Sequence, residues 1–366
     1  MTETEQPKIK KTQRLMSLDA YRGAIMIILI SHGFGFYALE DHPYLGFLAR
    51  HTEHVQWSGC VFWDLIQPAF MFMVGVAMPF AFSKRRSEGH SEWKIFAHVL
   101  KRAVMLCVIA IIFGSIHAGE LTIGFVNVLP QIAFGYVVAY FFVNKSYLTQ
   151  GLVAIFILIG YTLVWMWYPG NPPGGPWVMG NQNLGSAFDM WSVGRHYPGY
   201  WVALNAIPST STIIAGVMCR KLVSSDLSHN RIMAILAGAA GVLMASGLGV
   251  EWIFGIPIVK RILTSSFALY STGWAILFLL MFFWLIEVVN IRRWAFFLVV
   301  VGMNSIAAYI IFQLFRGWIN NALLAFTHPM VEEYVVWGEI VQAFLVLGVQ
   351  WYVLYFFYKN KIFFKV

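Results

Sequence analysis

Apolar runs of about 20 residues recur along almost the whole chain, separated by short polar stretches, and this recurrence decides what the chain can fold into. A helix rises about 1.5 Å per residue, so such a run crosses the roughly 30 Å hydrocarbon core of a bilayer. In hydrocarbon, backbone groups must be satisfied within the segment or in a closed barrel. The runs are long and do not alternate, so they read as helices. Only 11% of residues are charged, against about 25% in an ordinary soluble domain. So few charges cannot cover a separate water-facing domain. The expectation is an all-α, polytopic membrane protein with roughly ten transmembrane helices. Spans are expected near 18–36, 61–82, 96–117, 123–143, 151–167, 201–218, 232–253, 265–288, 294–315 and 334–357. Residues 1–13 read as a cytoplasmic N-terminal tail and 14–366 as a single transmembrane domain. The stretch from Met1 to Lys11 is polar and has no apolar core, so it does not read as a signal peptide.

The loops give the spans a direction. With the N-terminus in the cytoplasm, twenty of the 25 Lys and Arg fall on the cytoplasmic side, among them Lys84, Arg85, Arg86, Lys101 and Arg102. Only Arg50, Arg195, Lys260, Arg261 and Arg316 fall outside. That asymmetry is the signature of topology determination and places both termini in the cytoplasm. It accounts for the net charge of +8 without nucleic acid as a partner. The outer loops carry the other chemistry: 39–60 holds His42, His51 and His54, and 168–200 is long and rich in Gly, Pro and Trp. Cys60, Cys107 and Cys219 are far apart and match no metal spacing, so no metal is expected. There is no internal repeat to support an inverted-repeat transporter.

Ionisable and amide groups inside spans are candidates for function. Asp19 and Arg22 share a helical face near the cytoplasmic start of the first span; they read either as an anchoring ion pair or as a phosphate contact. Asp64 stands just inside the second span, four residues before Pro68, which is expected to bend the helix. A carboxylate there could orient a histidine and raise its basicity, and His54 precedes it by ten residues. Spacing alone leaves His54 as one of several loop histidines. Asn304 lies about ten residues into its span, near mid-bilayer, either as interhelical glue or as a ligand contact. Lys260 and Arg261 run against the charge bias; they either neutralise Asp41 or Glu53 or serve a site.

Four motifs, in order, suggest a family: Ser17-Leu18-Asp19-Ala20-Tyr21-Arg22-Gly23; Asp64-Leu65-Ile66-Gln67-Pro68 through Val74-Gly75; Ile207-Pro208-Ser209-Thr210; and Pro257 through Thr264-Ser265-Ser266-Phe267 with Gly302-Met303-Asn304-Ser305-Ile306-Ala307-Ala308-Tyr309. From Arg14 onward the chain resembles the transmembrane acyltransferases of the heparan-alpha-glucosaminide N-acetyltransferase type, with their bacterial relatives of the uncharacterised DUF5009 type. In that family the catalytic histidine precedes a Trp by three residues and an aspartate by ten; His54, Trp57 and Asp64 keep both spacings. Two features depart from the pattern. Ile30-Ser31-His32-Gly33 lacks the usual Asn, and 124–132 has Gly124 and Gln131 where the family has arginines.

The resemblance implies an enzyme that moves an acyl group, acetyl above all, from cytoplasmic acetyl-CoA, its acyl-donor substrate, to an amine or hydroxyl of an extracytoplasmic sugar. His54 and Asp64 would be catalytic. Trp57, Ser209, Lys260, Ser265 and Asn304 would face the acceptor, and Asp19, Arg22, Arg85 and Arg102 would hold the donor. The expected location is a bacterial inner membrane, multi-pass, with the lipid bilayer, acyl-CoA and the sugar acceptor as partners and a homodimer left open. Two alternatives remain: a transporter or permease of a polar metabolite, and a catalytically degenerate relative.

Overall fold

The computed structural model describes residues 15–364. The expected tail, 1–13, lies outside the described residues. Thirteen α-helices form the scaffold: α1 (Met16–Ser31), α2 (Gly46–Thr52), α3 (Ile66–Ser87), α4 (Glu92–Ala118), α5 (Val128–Tyr140), α6 (Tyr147–Met166), α7 (Leu184–Val193), α8 (Ala206–Val223), α9 (His229–Phe254), α10 (Ser265–Phe283), α11 (Ala295–Gly302), α12 (Ser305–Glu333) and α13 (Val335–Lys359). Strands are absent among the described residues, where a lone bridge joins Ser58 to Val259.

Among the described residues eight helices are long and apolar enough to cross a membrane. Two of the expected spans take other forms. The fourth shrinks to α5, whose 13 residues reach only about 20 Å, because 121–127 runs without helix ahead of it. The ninth is broken: α11 and α12 meet at a bend of 78°, and together they would count as one further span. Asn304 stands at this break, where its amide donates to the Ile362 carbonyl (2.8 Å) and its Oδ1 accepts from the Phe364 N–H (3.1 Å). It is therefore not the mid-helix residue that hydropathy implied.

The start of α3 also corrects an expectation. Asp64 lies in a 3-10 turn, Phe62–Leu65, ahead of the helix, and Pro68 falls in the first turn of α3. There the missing proline N–H has no intrahelical partner to lose, so Pro68 does not bend the span.

Outer helices show why the chain needs lipid. On α4 the exposed Val104, Val108, Ile112 and Ile116 recur every four residues, which is one helical stripe facing outward. On α6, Leu152, Ile155, Phe156 and Ile159, three or four residues apart along one face, form another. The centre is polar by comparison. Buried Ser209, Thr210 and Ser211 on α8 bond back to the carbonyls of Asn205, Ala206 and Pro208. Thr212 meets Thr272 of α10 at 2.8 Å.

Two close crossings fix this centre. A Cβ on Gly75 would lie 1.9 Å from the Ile213 carbonyl oxygen, and one on Gly216 would lie 2.1 Å from that of Phe72. The same reciprocity joins α1 to α11: Gly23 lies against the Leu298 carbonyl and Gly302 against that of Asp19. No larger residue permits such backbone contact, which is how small residues bring apolar helices together without a hydrophobic driving force.

Candidate functional site

Two loops on the N-terminal side of α3 build one end of the site. The segment 53–61 and the segment 255–264 are tied by the Gly59 N–H to the Ile258 carbonyl (2.8 Å) beside the Ser58–Val259 bridge. Thr264 and Ser266 fold the second segment on itself. Thr264 Oγ1 donates to the Pro257 carbonyl (2.7 Å) and accepts from the Val259 N–H (3.0 Å), and Ser266 Oγ reaches the same Pro257 carbonyl (2.7 Å). Arg261 clamps the loops from outside, through the carbonyls of Gly199 and Val55. This framework carries Lys260 to His54, 206 residues away in sequence.

The resulting cluster is tight. His54 Nδ1 lies 2.7 Å from Asp64 Oδ1, Lys260 Nζ lies 3.5 Å from the same oxygen, and Lys260 Nζ lies 3.2 Å from His54 Nδ1. Asp64 Oδ2 accepts the Val61 N–H at 3.1 Å. The indole of Trp201 covers both side chains, with the His54 ring edge-on at 5.9 Å and Lys260 Nζ at 5.6 Å from its centre. Asp64 is 1% exposed and Lys260 4%, so neither charge is hydrated and each needs the other. Burial, with the nearby Lys260 and Arg261 charges, holds the His54 pKa below its ordinary value against the opposing pull of Asp64. Burial also brings Lys260 down to about 8, the carboxylate resisting that fall. The imidazole is thus neutral near pH 7. With Nδ1–H donated to Asp64, the Nε2 lone pair is left to accept a proton.

The neighbouring histidines and cysteine are otherwise engaged. His42 Nδ1 accepts from the N–H groups of Tyr44 and Leu45, and His51 Nδ1 from that of Phe62, so both hold turns. The Cys60 thiol is pushed up to about 12, mainly by burial, and stays protonated.

His54, Trp201 and Lys260 line a cavity of about 480 Å³ that continues between the helices. One stripe of α3 follows it: Ile66, Gln67, Phe70, Met73, Val74 and Ala77. Eleven residues separate the first from the last, about 17 Å along the axis. Leu106 and Ile109 of α4, Leu129 and Ile132 of α5, and Ile306 and Ile310 of α12 complete a mainly apolar wall. Polar groups interrupt it. The Gln67 amide donates to Gln131 Oε1, Gln131 donates to the Val126 carbonyl (3.0 Å), and Tyr309 OH donates to Asn127 Oδ1 (3.2 Å). The cavity also reaches Arg22, near the start of α1, and Arg102 of α4. Arg22 lies 3.8 Å from Asp19. Arg102 stacks over Tyr136 at 4.7 Å, and its buried Nε has no hydrogen-bond partner among the described residues.

Of the residues proposed from sequence, the structure brings His54, Lys260, Arg22 and Arg102 to one cavity, with Asp64 bonded behind His54. The others stand elsewhere. Trp57 donates to the Trp177 carbonyl (2.8 Å) and fixes the long loop. Ser209 is spent within α8, Ser265 bonds Thr162 (2.6 Å) and the Leu158 carbonyl (2.9 Å), and Asn304 holds 362–364. Arg85 and Asp19 do not line the cavity. The sequence reading missed Trp201, Gln67, Gln131 and Tyr309. Gln67 was findable, as a lone amide on an apolar stripe of period 3.6, whereas nothing local marks Trp201 among 15 tryptophans. The space beside Gly124 is taken by Arg195, whose guanidinium donates to the Ile123 carbonyl (3.0 Å) and would lie 3.1 Å from a Cβ at Gly124.

No curated protein matches the chain. A family model described as a domain of unknown function, DUF5009, matches residues 14–142, the stretch that supplies Arg22, His54, Asp64 and Arg102.

Proposed function

We propose that this protein is a transmembrane acyltransferase of the heparan-alpha-glucosaminide N-acetyltransferase type. In this reading it moves an acetyl group from cytoplasmic acetyl-CoA to an amine or hydroxyl of an extracytoplasmic sugar. The observation that carries the reading is the single cavity that reaches a neutral, carboxylate-oriented histidine at one end and two arginines at the other. In this reading the basic last turn of α3, with Lys84, Arg85 and Arg86, lies in the cytoplasm, and so does the arginine end of the cavity. The reading takes the short α5 and the bent α11–α12 pair as crossings beside the eight long helices, ten in all, with both termini inside a bacterial inner membrane.

In the reaction, the arginines hold donor phosphates by charge-assisted bonds. The thioester arm extends along the apolar wall, where the Gln67, Gln131 and Tyr309 groups suit its amides. At the outer end His54 Nε2 takes the proton of the acceptor N–H or O–H as the acceptor attacks the thioester carbon. The C–N or C–O bond forms, the C–S bond breaks, and the departing thiolate takes the proton from His54 Nε2, which restores the neutral imidazole. The apolar wall excludes water that would hydrolyse the thioester.

The test is His54→Ala in purified, detergent-solubilised protein with acetyl-CoA and a glucosamine acceptor. CoA release should fall by about 10²-fold or more, with the elution profile unchanged. Unaltered CoA release would remove His54 from the chemistry. Flux of a polar solute into proteoliposomes without CoA would turn the reading toward a permease.

A further inference from the structure

We propose that Lys260 is a positioning residue: its ammonium neutralises Asp64, so that the carboxylate can orient the His54 imidazole without drawing a second proton onto it. The inference rests on reading His54 as a base.

The geometry carries the argument. Asp64 Oδ1 is shared, 2.7 Å from His54 Nδ1 and 3.5 Å from Lys260 Nζ. A buried carboxylate alone beside a histidine favours the imidazolium, and an imidazolium cannot accept a proton. A second cation on the same oxygen cancels that pull and leaves only the directional bond. Lys260 is built for this place. Its backbone lies in the loop that Thr264 and Ser266 fold onto Pro257, and Trp201 caps its ammonium. It is too near Nδ1, the oriented side of the ring, to serve the reacting face.

The other charges around the pair are fewer or farther. Arg261, on the same loop, adds to the lowering of the His54 pKa, and the protonated Cys60 carries no charge. On the outer side Glu40, Asp41, Arg50 and Glu53 line a second cavity of about 460 Å³ that His54 also borders. Their mixed signs flank a space open to water, where screening is strong.

The experiment reads the proton on His54 directly. Diethylpyrocarbonate modifies the neutral imidazole, and peptide mass spectrometry separates His54 from the other nine histidines. Modification rates are taken from pH 5 to 8.5 in the full-length wild type, Lys260→Met, Lys260→Arg and the double variant Lys260→Met/Asp64→Asn. Lys260→Met should move the His54 midpoint up by about one pH unit or more, a tenfold gain in proton affinity. Lys260→Arg should stay near wild type, and the double variant should return toward it, because the carboxylate that Lys260 offsets is then gone. His42 and His51 should not move. An unmoved midpoint in Lys260→Met would overturn the proposal, as would a double variant that shifts as far as the single one. Should Lys260→Met alone fail to fold, Asp64→Asn against the charge-free double variant decides: the unopposed Lys260 charge, 3.2 Å from Nδ1, should hold the His54 midpoint lower in Asp64→Asn, and equal midpoints would overturn the proposal. The readout needs no turnover: the expected shift in a protein that releases no CoA would sink the acyltransferase reading and leave the pairing intact.

Discussion

The two ends of the cavity are built in opposite ways. At the His54 end, two loops are tied by backbone bonding, the Arg261 side chain clamps a third segment to them, and the titratable groups satisfy one another over 2.7–3.5 Å. At the arginine end, Arg22 and Arg102 project from regular helices, and Arg102 keeps a buried Nε–H without a protein partner among the described residues. A preformed cluster suits a step whose donors and acceptors must not reorganise. A buried donor left open suits a group that arrives from outside, since leaving it unsatisfied is unfavourable by about 1–3 kcal/mol. On the proposed reading, one end performs the chemistry and the other holds the donor.

The largest expected effect separates these roles. Asp64→Asn keeps the shape but removes the orienting charge, and should lower turnover by about 10³-fold while donor affinity changes little. Calorimetric titration with acetyl-CoA beside steady-state rates checks this; a parallel loss of affinity would mean that the ends are not separate. Next come the arginines. Arg102→Gln should raise KM for acetyl-CoA by roughly ten- to a hundredfold at near-constant kcat, the range of one charge-assisted bond. Arg22→Gln should do less, because Asp19 already engages Arg22. A fall in kcat instead would place Arg102 in the chemistry and break the comparison.

The smallest effect concerns the outer loop that covers the His54 end. Asp189 of α7 is buried, its carboxylate accepts the Ala203 N–H (3.2 and 3.4 Å), and burial raises its pKa to about 6. Between its ordinary value near 3.8 and about 6 the folded loop holds a proton that the unfolded chain has lost. Loop stability should therefore fall as pH rises through that window. Protection factors for amides in 184–203 should drop by less than tenfold from pH 5 to 7, and Asp189→Asn should flatten the change. Equal pH dependence in the variant would show that Asp189 does not govern the loop.

Much of the helical frame was legible. The transfer free energy of an apolar run is a local property, so eight long helices fall where hydropathy placed them. The failures are where local rules lose to partners. Pro68 reads as a bend but falls in a first helical turn, because α3 starts at Ile66, just after the 3-10 turn that holds Asp64. Asn304 reads as mid-helix, yet it breaks the helix to bond the chain near Ile362. Ser209 and Ser265 read as ligand contacts, yet helix carbonyls and Thr162 take their hydroxyls.

By itself, the sequence determined that this chain is helical and suited to a membrane, and that a histidine and an aspartate sit ten residues apart. Those properties depend on composition and short spacing alone. Only the tertiary structure decided that Lys260 completes the pair and that Arg102 shares its cavity. Such contacts span up to 206 residues, and they exist because glycine crossings and two interlocked loops set the distances, which no local pattern encodes.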